Sequence, residues 1–346
     1  MHRQGLLANA ATSEAREKIS KVLNCSSKEI IFTSGGTESV NLAIKGVAFA
    51  KGRGHIITQK TEHHAVLKTC EWLEKKGFAV SYLDVNEFGL VNPTDVKNAI
   101  RTDTILVTVM YANNELGTIQ PISEIGKICK EKGVLFHTDA CQAAGYLNLS
   151  VERLDVDLMT INGSKIYGPK GSGLLFVKQG TKIEPSLHGG GQEFGLRSGT
   201  ENVPSIVGFA SALELAQKEK ASESNKLSGL RDKLILELLK IPNTRLNGHP
   251  TKRLPNNVNI SFSGVEGESI LLKLNELGIF ASTGSACSAK DIKPSHVLLA
   301  IGLSHELAHG SIRFSLGRTT TKKDVAYVLK VLPKIISELR GMSPIE

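Results

Sequence analysis

Three stretches of this sequence hold residues whose types and spacing suit chemistry. The first is Thr33-Ser34-Gly35-Gly36-Thr37-Glu38-Ser39, set after a β-rich run and at the head of a helical one. Two glycines let the backbone come close to a ligand. The first amides of the helix, with the Thr37 hydroxyl, then form a ready anion site. The same residues also read as a glycine-rich turn with Thr37 capping the helix. The second stretch is Asn162-Gly163-Ser164-Lys165-Ile166-Tyr167-Gly168-Pro169-Lys170-Gly171, which leaves a strand and enters a Gly/Pro loop. A lysine at a strand end beside a phosphate site can bond the aldehyde of pyridoxal phosphate, whose ring nitrogen such enzymes pair with a carboxylate. Asp139 follows the apolar run 134–138 and so falls in the crevice at a strand's carboxyl end. A solvated surface charge remains the plainer reading for most of the chain's lysines.

The third stretch, Ala281-Ser282-Thr283-Gly284-Ser285-Ala286-Cys287-Ser288-Ala289, is a run of small residues with one thiol, followed by Lys290 and Asp291. Nothing bulky anchors it, so the composition predicts a mobile loop whose cysteine is placed to react. The plainer alternative is a small buried hydrophobe. His305-Glu306-Leu307-Ala308-His309 matches the zinc-peptidase pattern, but that chemistry needs both histidines on a stable helix and a third ligand. Gly302 ends the preceding helical run, and Gly310 with the β-rich SIRFSL follows at once. At most a turn or two of helix remains, and the pattern is read as a decoy.

The elements that must position these residues follow from periodicity. β-rich runs occur at residues 29–32, 55–58, 80–83, 104–111, 134–138, 157–161 and 173–177, with amphipathic stretches at 37–50, 64–76 and 121–132 between them. Such alternation predicts βαβ units and a mainly parallel sheet flanked by helices. The expected domains are a large α/β domain over 1–204, a helical connector over 205–240, and a smaller α+β domain over 241–346 that carries the Cys287 loop. Within the last, strands are expected near 258–262 and 311–316, and helices near 267–277 and from 321 onward, the latter kinked at Pro333.

Composition narrows the class. The chain has 346 residues, 40% hydrophobic and 22% charged, with 42 basic against 34 acidic side chains for a net charge of +8. That modest excess permits an acidic partner without showing one. Aromatic residues are only 5%, too few for the stacking platforms of single-strand nucleic-acid binding. No apolar run approaches the ~18 residues of a membrane span. No secretory core follows Met1. The cysteines, at 25, 70, 129, 141 and 287, are odd in number and widely spaced, as expected of free thiols in a cytoplasmic protein.

Taken together the motifs resemble the NifS/IscS-type cysteine desulfurases, fold-type I pyridoxal-phosphate enzymes of the class V aminotransferase group. The likeness runs from His2 to the C-terminus through IIFTSGGTES, ITQKTEHHAV, YANNELG, FHTDACQ, KIYGPKG, HGGGQEFGLRSGTEN, STGSACS and ELAHGSIRFSLGR. It implies that Lys165 holds the cofactor covalently and that His63 stacks on its ring and shuttles protons. Asp139 pairs with the ring nitrogen, and Gln142 and Asn114 bond the region of the phenolic oxygen. Gly36 and Thr37 take the phosphate, with Thr200 reaching it from a partner subunit. Arg313 clamps the substrate carboxylate, with Asn114 beside it, and Cys287 accepts sulfur.

The implied activity is removal of sulfur from L-cysteine, giving alanine and an enzyme-bound persulfide for iron–sulfur cluster assembly and tRNA thiolation. The implied partners are a second copy of the chain, an IscU-like scaffold and tRNA-thiolation sulfur acceptors, with neither nucleic acid nor membrane bound directly. The resemblance implies no resident metal, only a transient cluster contact at Cys287. A selenocysteine lyase, another class V enzyme, or a non-catalytic or truncated partner subunit are the alternatives.

Two departures from the family pattern stand out. Asn162 and Ser164 occupy the places of the usual Ser and His before the lysine, where both normally donate to the phosphate. Each can still donate a hydrogen bond, with a different reach. The chain also begins inside the family's Ser-x-x-His-x-x-Gly segment, at His2 and Gly5. Either its start lies upstream or its pocket lacks the preceding Asn-Ala-Ala-Thr-Thr-like turn.

Overall fold

The alternating runs of the first half become a sheet with helices between its strands. The computed structural model describes residues 2–283 and 294–342. The chain forms two compact units. The first comprises Met1–Leu83, Val91–Ala112 and Gln120–Lys220, and the second Asp84–Leu90, Asn113–Ile119 and Ala221–Glu346.

In the first unit the strands are β1 (Ile30–Thr33), β2 (His55–Gln59), β3 (Ala79–Leu83), β4 (Thr104–Thr108), β5 (Leu135–Asp139), β6 (Leu158–Asn162) and β7 (Gly173–Val177). They lie in the order β1-β7-β6-β5-β4-β2-β3. Pairing is parallel from β3 through β6, and β7 runs antiparallel to both β6 and β1. Parallel neighbours require crossovers, which the helices supply. The helices are α1 (Arg3–Leu23), α2 (Gly36–Lys51), α3 (His64–Glu74), α4 (Pro93–Ala99), α5 (Ile122–Lys132) and α6 (Val151–Leu154). Val40, Ile44 and Val47 of α2 pack with Ile56, Leu106, Leu158 and Leu175 from four strands, all of them buried. Helix α7 (Val203–Leu238) runs unbroken over the stretch expected to be a connector. Its Gln217 Nε2 donates to the carbonyls of Ala144 (2.7 Å) and Leu147 (3.1 Å) and so secures the turn after β5.

β4 is shorter than the apolar run predicts, and the reason is local. Beyond Thr108 the amides of Val109 and Tyr111 still pair with carbonyls at His137 and Asp139, but the Met110 amide turns to a side chain, that of Glu62.

The second unit holds an antiparallel sheet of β8 (Thr244–Asn247), β9 (Asn257–Phe262) and β10 (Ser311–Ser315), in the order β10-β9-β8. Its helices are α8 (Gly267–Glu276), α9 (His296–Ala300), α10 (His305–His309) and α11 (Lys322–Met342), the last continuing through Pro333. Two short loops from the first half of the sequence belong here, Asp84–Leu90 and Asn113–Ile119; Thr118 Oγ1 of the second donates to the Phe88 carbonyl of the first (2.7 Å), and polar side chains bind the backbone of the second. Arg253 Nη2 donates to the Leu116 carbonyl (3.0 Å) and Asn259 Nδ2 to that of Glu115 (3.1 Å). Among the described residues no helix is long and apolar enough to cross a membrane.

Candidate active site

The carboxyl ends of β5 and β6 meet the start of α2. Gly35 caps that 16-residue helix from a left-handed conformation (φ 148°), and the backbone behind it is packed closely. A Cβ on Gly173 of β7 would stand 2.7 Å from the Gly35 Cα. A Cβ on Gly36 would fall 2.9 Å from the Cys141 Sγ and 3.5 Å from the Asn162 Cβ. The cap is therefore Gly35 rather than Thr37, and Thr37 lies exposed in the first turn. The unpaired amides of this helix end favour an anion.

Asp139 is the last residue of β5 and is 7% exposed. Its Oδ1 accepts the Cys141 amide (2.9 Å) and its carbonyl the Tyr111 amide (2.9 Å). Two residues earlier, His137 is wholly buried between Thr108 Oγ1 (2.8 Å) and Thr160 Oγ1 (2.9 Å). Burial pushes its pKa down to about 4 despite the pull of Asp139, so it adds no positive charge beside that carboxylate. The Cys141 thiol is pushed up, first by burial and then by the charge and hydrogen bond of Asp139, while Lys165 opposes the rise. Gln142 lies half-buried in the turn that follows.

After β6 the chain enters a 3-10 turn, Gly163–Ile166. Asn162 caps it, its Oδ1 accepting from Ser164 N and Oγ, both at 3.3 Å. Lys165 sits in this turn, exposed. His63 caps α3, its Nδ1 accepting the Ala65 amide (3.0 Å), so in the neutral ring the proton is on Nε2. Thr200 lines a pocket of about 160 Å³ with Thr33, Ser34, Gly173 and Arg197, and Arg197 Nε donates to Glu38 Oε1 at 2.8 Å.

Arg313 and Asn114 lie in the second unit. Arg313 Nη1 donates to the Asn114 carbonyl (2.9 Å), which also accepts from Asn257 Nδ2 (3.3 Å). Arg313 pairs through its backbone with Ser282, five positions before Cys287. Cys287 itself lies outside the described residues. The HELAH stretch is the five-residue α10, and among the described residues no three metal-ligating side chains gather.

The Aminotransferase class-V family profile matches residues 1–328. The chain belongs to this family. It is 56% identical over 344 residues to the cysteine desulfurase IscS of Methanosarcina thermophila, covering 99% of this chain and 85% of that protein. It is 55% identical over 348 residues to the cysteine desulfurase IscS of Dictyoglomus turgidum, covering 99% and 88%. Among solved structures it resembles a NifS-like protein at 40% identity, with a TM-score of 0.92 over 98% of this chain and 91% of that one. It also resembles SspA in complex with cysteine, at 38% identity and a TM-score of 0.81 over 91% and 89%.

The cofactor of this class V chain is pyridoxal 5'-phosphate. The residues present fit it. A helix end stripped of side chains at Gly35 and Gly36 suits a phosphate, and a buried carboxylate at Asp139 suits a ring nitrogen. Nothing in the sequence positions of Glu62 and His137 singles them out. Only their burial and contacts draw attention to them.

Gly36→Ala is expected to weaken cofactor affinity, because its methyl group meets the Cys141 sulfur. Overpacking of this kind costs ~1–3 kcal/mol, about five- to 150-fold in the dissociation constant. Adding Cys141→Ala removes the obstructing atom and should restore most of the affinity. Equilibrium dialysis of the apo forms with pyridoxal phosphate measures both.

Proposed function

We propose that this chain is a cysteine desulfurase that takes sulfur from L-cysteine and releases alanine. The observation that carries the reading is the meeting of Asp139, Lys165 and Asn162 around the Gly35–Gly36 helix end. It occurs in a family member with STGSACS in its sequence. Lys165 would hold the cofactor covalently. Gly36, Thr37, Asn162 and Ser164 would bind its phosphate, with Thr200 of a second subunit. Asp139 would face the ring nitrogen, and Gln142 and Asn114 the phenolic oxygen. When bound, the cofactor supplies an electron sink for the pair released at the substrate's α-carbon.

The protein's own groups do the rest. Arg313, oriented by the Asn114 carbonyl, would hold the substrate carboxylate. His63, protonated at Nε2, would stack on the ring and carry a proton. The Cys287 sulfur would attack the substrate sulfur. An S–S bond forms, the substrate C–S bond breaks, and the carbon gains a proton as alanine leaves. Sulfur then remains as a Cys287 persulfide, which classes the enzyme as a sulfurtransferase. We further propose that it works in the cytoplasm as a homodimer and passes sulfur to an iron–sulfur scaffold and to tRNA-thiolation acceptors.

The test is the visible spectrum of the purified protein before and after L-cysteine, with alanine and sulfide assayed. Alanine equal to the sulfur released supports the reading, and a spectrum indifferent to L-cysteine contradicts it. Turnover of selenocysteine with none of cysteine would assign a lyase instead.

Asp139→Asn is expected to keep the fold, since the amide oxygen can still accept the Cys141 N–H. A neutral side chain cannot hold the ring nitrogen protonated. Removing electrostatic stabilisation of this kind costs ~3–4 kcal/mol, roughly a hundred- to thousandfold in kcat. Alanine release by cofactor-loaded protein measures it, and near-normal kcat would remove Asp139 from this role.

A further inference from the structure

Glu62 is a carboxyl group in an expensive place. It is fully buried in the first unit, within the short connection from β2 to α3 that also carries His63. Its Oε1 accepts the Met110 amide (2.6 Å) and Gln59 Nε2 (2.9 Å). Gln59 is equally buried, and its Oε1 accepts from Thr61 Oγ1 (3.1 Å). The next amide after Met110, that of Tyr111, donates to the Asp139 carbonyl.

Sheet order explains why a side chain does this work. β2 and β5 are not neighbours, because β4 lies between them. Main-chain pairing therefore cannot tie the His63 turn directly to the Asp139 strand end. Two consecutive amides beyond β4 make the link instead. Met110 takes the Glu62 carboxyl on one side, and Tyr111 takes the Asp139 carbonyl on the other.

We infer that Glu62 is a positioning residue whose reach sets the separation of His63 and Asp139. It acts as a neutral acid. Burial, with Asp139 nearby, pushes its pKa up to about 8, against the pull of the Met110 and Gln59 hydrogen bonds. A neutral carboxylic acid presents its carbonyl oxygen to two donors as an amide does. Reach is then indispensable and charge is not.

The inference rests on the reading that His63 and Asp139 face the cofactor. Its test compares Glu62→Gln, which keeps the reach and removes the acid, with Glu62→Asp, which keeps the acid and is one methylene short. Each apo protein is titrated with pyridoxal phosphate by equilibrium dialysis, and the absorption spectrum of the bound cofactor is recorded. Glu62→Gln should bind within about twofold of the unsubstituted protein and show the same spectrum. Glu62→Asp, with two buried donors left poorly met, should bind about tenfold more weakly and show a shifted spectrum.

Impairment of Glu62→Gln as deep as that of Glu62→Asp would overturn the inference, because charge would then matter. A Glu62→Asp protein that merely melts earlier, with unchanged affinity and spectrum, would overturn it too, since the role would be structural. If the unsubstituted protein takes up no pyridoxal phosphate, the proposed function itself fails and this inference falls with it.

Discussion

Lys165→Ala is expected to abolish turnover of L-cysteine and the covalent, borohydride-reducible link between protein and cofactor. The loss of rate should be at least about a thousandfold, the scale seen when a group that forms a covalent bond is removed. Folding is not the reason. Lys165 is exposed, so truncating it opens no cavity in the core. The turn that carries it is capped by Asn162 through Ser164, neither of which changes. Cys141 lies close enough to feel the lysine charge, but its amide is held by the Asp139 carboxylate and it stays half-buried. Mass spectrometry after reduction shows whether pyridoxal phosphate is attached, and to which residue. A Lys165→Ala protein that still forms a reducible adduct and releases alanine would assign the attachment to another amine.

Much of the first unit is legible because its strands other than the edge strand β3 are buried on both faces. Runs such as Leu174, Leu175 and Phe176 stay apolar without a break, and their boundaries fall close to the observed ones. What escapes the pattern is where small residues make the core. Helix α1 buries Thr12, Ala15 and Ser20 with only Ile19 and Leu23 as large apolar anchors, so its periodicity is faint. The antiparallel β7 is legible as a strand, yet nothing in its residues tells its direction. The two loops of the second unit drawn from the first half are invisible for a related reason. Arg253, Asn257 and Asn259 hold the Asn113–Ile119 loop by binding its carbonyl groups, and Thr118 Oγ1 in turn binds the Phe88 carbonyl of the other, contacts that leave little mark on the sequence of the loops themselves.

The candidate site divides along similar lines. Asp139 and Lys165 stand out because a charged residue at or just past the end of an apolar strand has few ordinary uses. Gly35 and Gly36 stand out because they interrupt a strand–helix passage. The reason Gly36 must be glycine is a sulfur atom 105 positions away in the chain, and only the fold brings it there. Glu62 is hidden more deeply. In the sequence it reads as one more charge in a polar connection, and its significance lies in complete burial beside the amide of Met110.

Cys287→Ser is expected to bind pyridoxal phosphate normally and to respond spectrally to L-cysteine, yet to transfer no sulfur. In the roles proposed above, Lys165, Asp139 and Arg313 would suffice to bind and activate the substrate, and none of them is a sulfur nucleophile. Serine is nearly isosteric, but its hydroxyl stays protonated at neutral pH and cannot carry a persulfide. The other four thiols are poor substitutes on physical grounds. Burial, aided by neighbouring carboxylates, pushes Cys25 and Cys129 up to about 12 and raises Cys70 and Cys141 as well. At a pKa near 12 roughly one thiol in 100,000 is ionised at pH 7. Cys141 is the rival that matters, since it lies against Gly36 and Asp139, but its sulfur is packed and its thiolate is opposed by the Asp139 charge. If Cys287 were a mere core filler, the serine variant would lose some stability and keep its turnover. Alkylating the protein after one turnover and mapping the trapped persulfide by mass spectrometry separates the cases. Label on Cys287 in the unsubstituted protein, and none anywhere in Cys287→Ser, is the expected result. Label on Cys141 with none on Cys287 would move the nucleophile to the end of β5.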